Sequence, residues 1–388
     1  MNLKMGTHRA TARAPSMANG KDTLRGTAVG NDLRSYLDRH ALHAAMTVTS
    51  VLFLLTFFEY RSSAPTEPVE SKIVAVSLNI TTGHPEWKTF ENRIAGPFLC
   101  RAVSHFSGLT YPNCHAVFMA GMLLLSNAIP LLILPRLFAN PRDVFLFLLL
   151  NAMLIVAIQH CGFMYDWDLI DLSTMFLFAY AVFAGSPVWA LTLLFVVELA
   201  NRESALFIPL WIVIDAVVSM TRRFERRALA KAGLGVVLIA IGSMWTAFLR
   251  GRLLLADPHD ERVRQVVMGQ HLQIRQNLYD LAHPFAPDGF DSSRGLAAYV
   301  LLATFGLLFV FFARCPVVPR TQVVKVGVLL LAMMMSLFLF GLLMESRVWF
   351  ELVPFMLFLY FMPWARMRHG ISPPPQPGRR GVIEVTHG

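Results

Sequence analysis

The chain has 388 residues, 55% of them hydrophobic and 15% charged, with a mean hydropathy of +0.52 and a net charge of +9. So little charge cannot cover the surface of a soluble domain of this size, and no short strands alternate apolar and polar residues as a β-barrel would require. The basic excess does not imply a nucleic-acid partner, because Lys and Arg retained in cytoplasmic loops give the same balance in a membrane protein.

Residues 1–40 are polar and rich in Lys, Arg, Ser, Gly and Thr, which predicts a disordered cytoplasmic tail. No cleavable signal peptide is evident, since the first apolar run begins only after this tail. Apolar runs then follow at 41–59, 116–135, 144–160, 169–184, 187–200, 204–220, 232–249, 296–313, 325–344 and 347–363. In hydrocarbon each backbone amide must be satisfied within its own segment, so each run is expected as a helix. The predicted fold class is an all-α polytopic bundle of about ten transmembrane helices. It has a transmembrane domain over 41–363, a cytoplasmic tail over 364–388, and both termini inside. The fourth and fifth spans are separate only if the chain turns tightly at Ala184, Gly185, Ser186 and Pro187. With ten spans, 21 of the 34 Lys and Arg but only six of the 25 acids fall inside, a balance of +15 against −5 outside. Asp215 is left within the sixth span, where it either pairs with a neighbouring helix, reaches toward Arg222 and Arg223, or serves a proton path.

Two outer segments are long, at about 61–115 and 250–295. The first ends in Ile94 to Leu109, an apolar stretch with Arg101 and His105, which reads as an interfacial helix. The second is expected to hold a short amphipathic helix between about 259 and 281. Of the four cysteines, Cys315 falls inside and Cys100, Cys114 and Cys161 outside. A Cys100–Cys114 disulfide and a pair of buried free thiols are equally compatible with that placement. No CxxC or HExxH supports a zinc site.

Ionisable residues gather in four clusters at outer helix ends. These are Glu91-Asn92-Arg93 with Pro97; His160, Tyr165, Asp166, Asp168 and Asp171; Glu198, Asn201, Arg202 and Glu203; and Glu345, Arg347 and Glu351. Glu198 with Arg202, and Arg347 with Glu351, are spaced to share a helix face. Charges at membrane depth either pair to seat helix ends or line an aqueous cavity. Their concentration on one side favours a shared outward-facing cavity. There a carboxylate can take a proton from an acceptor hydroxyl while Arg neutralises a phosphate leaving group. Tyr165, Trp167, Trp349 and Phe350 can stack on a sugar or anchor at the interface. Asp166, Asp168 and Asp171 are oxygen ligands of the kind that hold Mg²⁺ or Ca²⁺, which leaves a divalent cation open.

Several short stretches resemble bacterial polytopic sugar-transfer proteins of the GT-C type. They are the acidic first outer loop with Glu91-Asn92-Arg93-Ile94-Ala95-Gly96-Pro97; Tyr165-Asp166; Asn201-Arg202-Glu203-Ser204; and Glu345-Ser346-Arg347 with Pro354. The resemblance implies a bacterial inner-membrane glycosyltransferase. It would move a sugar from a polyprenyl-phosphate donor to a glycan or lipid acceptor on the outer face, in contact with membrane lipids. It implies Glu91 as catalytic base with Asp166 and Asp168 behind it, and Arg202 and Arg347 as phosphate binders. Arg93, Tyr165, Glu203 and Glu345 complete the expected substrate contacts. That family carries an Asp in the first outer loop, whereas this loop has only glutamates: Glu67, Glu70, Glu86 and Glu91. Three alternatives stand beside it: a polysaccharide polymerase or ligase gripping its substrate with Arg262, Arg264 and Arg275, an O-acyltransferase, and a transporter.

Overall fold

The uncharged runs do close their backbone hydrogen bonds on themselves, and the chain is helical throughout the residues that can be described. A computed structural model describes residues 47–60, 67–83, 93–138, 140–160, 164–221, 225–249, 273–283, 292–341, 343 and 346–368. Its helices are α1 (Thr47–Tyr60), α2 (Glu67–Thr81), α3 (Ala95–Ser107), α4 (Tyr111–Ile133), α5 (Pro141–His160), α6 (Asp166–Ala184) and α7 (Val188–Leu199). Then come α8 (Phe207–Met220), α9 (Arg226–Phe248), α10 (Ile274–Ala282), α11 (Ser292–Arg314), α12 (Arg320–Phe340) and α13 (Val353–Arg368). Among the described residues there is no strand. Six helical stretches are long and apolar enough to cross a membrane: those containing α4, α5, α6, α8, α9 and α12.

The expected turn after the fourth apolar run is present. Gly185 ends α6 in the left-handed region (φ 72°), and Pro187 caps the start of α7. Sequence reading misses α2, which lies between the first two apolar runs and buries Ile73, Val76, Ser77 and Ile80 on one helical face. The stretch 94–109 forms α3, with Gly96, Pro97 and Cys100 buried and Phe98, Leu99, Val103 and Phe106 exposed, the two-faced form expected of an interfacial helix.

The last two runs break where the apolar pattern does not. Helix α12 stops at Phe340, and α13 starts only at Val353, after a 3₁₀ helix over Ser346–Glu351. The reason is a cap supplied from α10. The fully buried Asn277 donates to the carbonyls of Phe338 (2.7 Å) and Gly341 (2.8 Å) and accepts the Leu343 amide (3.0 Å).

Helix α6 is the hub of the bundle, packing against α3, α4, α7, α13 and the 3₁₀ helix. It is buried almost all round, so its lack of a one-sided apolar stripe is the expected pattern. Its C-terminal half sits in an aromatic core: Phe147 meets Phe176, Phe358 and Phe361 at centroid distances of 5.7, 5.2 and 5.0 Å. Its N-terminal half is polar, and that asymmetry positions the site.

Candidate functional site

The first turns of α6 place Asp166 on one face and Asp168 with Asp171, three residues apart, together on the opposite side. Asp166 is fully buried against α2, α3 and α4. Ser77 donates to its Oδ2 (2.7 Å) and stands 2.6 Å from the Tyr111 hydroxyl, while the Trp167 amide reaches Oδ1 (3.2 Å). Gly96 lies so close that an added Cβ would come within 2.8 Å of the Asp166 carboxyl carbon. Asp168 Oδ2 accepts the Tyr165 amide (3.0 Å), tying down the helix start in the manner of a capping box.

Asp171 turns instead toward the segment joining α7 to α8. Arg202 Nη1 bonds Asp171 Oδ2 (3.0 Å) and lies 3.7 Å from Asp168 Oδ1, and Nη2 reaches Glu351 Oε1 (3.4 Å). Ser204 donates to Asp171 Oδ1 at 3.1 Å. Glu198 is fully buried and is held by Thr174 (2.5 Å), Asn201 (3.2 Å) and Ser204 (3.3 Å). Asn201 also donates to the Trp167 carbonyl, at 3.1 Å. The expected Glu198–Arg202 pairing along one helix is therefore corrected. Helix α7 ends at Leu199, so the guanidinium leaves the helix face and crosses to α6 and the 3₁₀ helix. Likewise Glu351 pairs with Arg202 rather than with a neighbour on its own turn.

The aromatic residues form one edge of the cluster. Tyr165 stacks on Trp167 at 4.5 Å, and the Arg93 guanidinium lies over the Trp167 ring at 5.3 Å. Trp167 itself is fully buried with Val76 and Ile80, so it is a core residue and no platform for a sugar. Trp349 and Phe350 are equally buried.

Burial would lower the Arg202 pKa, but Asp171, Glu351 and Asp168 overcome it and the net shift is upward, so the guanidinium stays charged. Glu351 moves the other way from an ordinary carboxylate. Burial pushes it up to about 8, Arg202 opposes the rise, and Asp171 adds to it. With its side chain 17% exposed against 1% and 0% for Asp168 and Asp171, Glu351 is the most open of these three acids.

No family model, curated protein or solved structure matches the chain, so the geometry stands by itself. Of the residues singled out from sequence, Arg93, Tyr165, Asp166, Asp168, Arg202 and Glu203 fall in or beside this cluster, joined by Asp171, Glu198, Asn201 and Glu351. Glu91 and Glu345 lie outside the described residues, as do Arg262 and Arg264 and the side chain of Arg347. Arg275 is exposed on α10.

The sequence left a divalent cation and the state of two cysteines open. Among the described residues no set of three His, Cys, Asp or Glu side chains is arranged to hold a metal: Asp166 turns to Ser77 while Asp168 and Asp171 face Arg202. Cys100 and Cys114 are buried free thiols and not a disulfide. Cys114 Sγ faces Ser107 Oγ at 3.8 Å, and burial together with Asp166 raises the Cys100 pKa, which keeps that thiol protonated and inert. Ser77, Tyr111 and Thr174 were missed. Ser77 could have been found from the Ile73, Val76, Ile80 periodicity of α2, which places it on the buried face, but nothing local marks Tyr111 or Thr174.

Proposed function

We propose that the chain is a multi-pass membrane glycosyltransferase that moves a sugar from a polyprenyl-phosphate donor to an envelope glycan or lipid acceptor. We place it in a bacterial inner membrane with about ten spans and both termini in the cytoplasm, the acid and arginine cluster facing outward. The observation that carries the reading is the desolvated network of Asp168, Asp171, Glu198, Arg202 and Glu351, with Glu351 at its open side. Such a network is costly in a bundle that needs only to span a membrane.

Asp166 is sealed by Ser77, Tyr111 and Gly96 and serves as an anchor, so the base role moves to Glu351 among the described residues, with Glu91 beside it in the proposal. A carboxylate with a pKa near the working pH is suited to general base catalysis. In the proposed step Glu351 takes the acceptor hydroxyl proton and the acceptor oxygen attacks the anomeric carbon. The bond from that carbon to the phosphate oxygen breaks, and the phosphate leaves with the electron pair. Arg202, engaged by three carboxylates, positions Glu351, and phosphate neutralisation falls to Arg93 and Arg347.

The test is complementation of a deletion strain with Glu351→Gln, Glu91→Gln and Arg347→Ala, reading surface glycans by mass spectrometry at matched membrane levels. Loss of one defined sugar by about 100-fold or more in Glu351→Gln or Glu91→Gln is expected. Unchanged glycans in all three variants would overturn the assignment. One observation favours transport as a second reading. Helix α7 has 12 residues, about 18 Å, and ends in buried ionisable groups, as a broken transporter helix would. Substrate uptake into proteoliposomes without sugar transfer would select it.

A further inference from the structure

At the other end of α6, about 28 Å along its 19 residues from Asp166, lies a cavity of about 310 Å³ that the acid cluster does not touch. Three cations line it, Lys231 from α9, Lys325 from α12 and Arg366 from α13, together with Gln322. Phe183, Leu191 and Trp211 add apolar lining. Asp215 bridges two of the cations, pairing with Lys231 and, at 2.6 Å, with Lys325. That pairing accounts for Asp215, the carboxylate left within the sixth span.

One carboxylate does not balance three cations, so the cavity keeps two positive charges among the described residues. Arg366 is the odd one out: its contact is Gln322 Oε1 at 3.4 Å, and no carboxylate among the described residues pairs with it. Neither lysine is exposed to more than about a quarter of its side-chain surface (26% for Lys231, 19% for Lys325), so these charges are drawn into the bundle and not displayed on a solvated loop. Partly desolvated ammonium and guanidinium groups lining a cavity favour an anion, and the apolar residues in the same lining suit acyl chains.

We propose that this cavity binds the phosphate of an anionic ligand, a phospholipid headgroup with its chains along Phe183, Leu191 and Trp211 or a soluble phosphate. Lys325 and Arg366 hold the phosphate oxygens, and Asp215 sets the lysines in place. Basic pockets between membrane helices at the cytoplasmic face are known to take such headgroups, and the location agrees with the proposed orientation. The site is independent of the sugar-transfer reading and stands or falls separately from it.

The experiment is native mass spectrometry of the full-length protein with phosphatidylglycerol and with phosphatidylcholine, alongside thermal shift in inorganic phosphate. Phosphatidylglycerol should be retained over phosphatidylcholine, and Arg366→Gln and Lys325→Gln should each weaken it roughly tenfold. Arg314→Gln, an exposed cation away from the cavity, should bind as wild type. Stabilisation by inorganic phosphate, lost in the same two variants but without phosphatidylglycerol retention, would assign the soluble source. If Lys325→Gln melts early because Asp215 loses a partner, Arg366→Gln carries the comparison. Binding of both probes at wild-type strength by Arg366→Gln would overturn the proposal.

Discussion

Arg202 has only one fully charged task in this structure, and it is to hold acids together. Two of its nitrogens reach Asp171 and Glu351, and Asp168 stands within 3.7 Å. A single guanidinium cannot neutralise that many carboxylates at low dielectric, so at least one acid keeps its proton near neutral pH. Glu351, pushed up to about 8, is that acid among the groups outside the spans, and its ionised fraction near neutral pH is the form that acts as base in the proposed step. The consequence for stability has a definite sign. In the unfolded chain Glu351 ionises near the usual value of 4.5, while in the fold it holds its proton to about 8. Its contribution is thus fully present below about 4.5 and is lost as the pH rises through about 8. Melting curves from pH 5 to 8.5 should show wild type losing several degrees relative to Glu351→Gln, with the gap constant above about pH 8.5. Parallel pH profiles for the two proteins would show that the carboxyl is ionised in the fold at all these values.

Helix pairs are set by small residues as much as by apolar pattern. Helices α8 and α9 approach closely at Gly235, where an added Cβ would meet Val213 Cγ2 at 2.6 Å and the Pro209 carbonyl at 2.9 Å. Gly233, two positions earlier on the same helix, has nothing within 4 Å. The pair separates propensity from packing. Gly233→Ala should stabilise by up to about 1 kcal/mol through helix propensity alone. Gly235→Ala gains the same propensity but forces the helices apart, at a cost of about 1–3 kcal/mol, so its melting temperature should fall. Equal effects from the two substitutions would mean that α8 and α9 can separate freely. Helix α7 raises the complementary point. It is too short to span alone, and its C-terminal end is tied to its neighbours: Asn201 donates to the Trp167 carbonyl, Thr174 donates to Glu198, and the Ala200 carbonyl accepts the Ala95 amide of α3. The polar half of α6 and the short α7 are two sides of one solution.

For the whole molecule, the two ends of α6 differ in charge. One end carries the acid cluster, and the other carries Lys231, Lys325 and Arg366 together with the Arg368–Asp143 pair (2.9 Å), which joins α13 to the start of α5. That polarity agrees with the proposed orientation, since basic residues are retained in the cytoplasm. It can be tested with single cysteines in a cysteine-free background. His283→Cys, at the exposed end of α10, should react with a membrane-impermeant maleimide in intact cells, and Thr221→Cys, at the end of α8, only after permeabilisation. The reverse pattern would invert the orientation and place the acid cluster inside.

Much of this architecture was legible in the amino-acid order, because hydrocarbon leaves the backbone no choice. Uncharged runs must be helices, Gly185 with Pro187 must break one, and the two-faced stretch from Ile94 to Leu109 must lie with one side in the bundle. The presence of a polar site at one end was legible for a related reason: ionisable residues at helix ends cost too much to be accidental. The partners were not legible. Glu198 and Arg202 sit four apart, as local pairs do, yet the end of α7 releases Arg202 to cross to Asp171 and Glu351. Ser77 and Tyr111 belong to segments 89 and 55 positions from Asp166, and nothing local records that they meet it. Asn277 ends α12 from a different helix. Sequence periodicity reports which face of an element avoids water or lipid, whereas a buried charge chooses its partner by which elements pack together, and only the tertiary structure decides that.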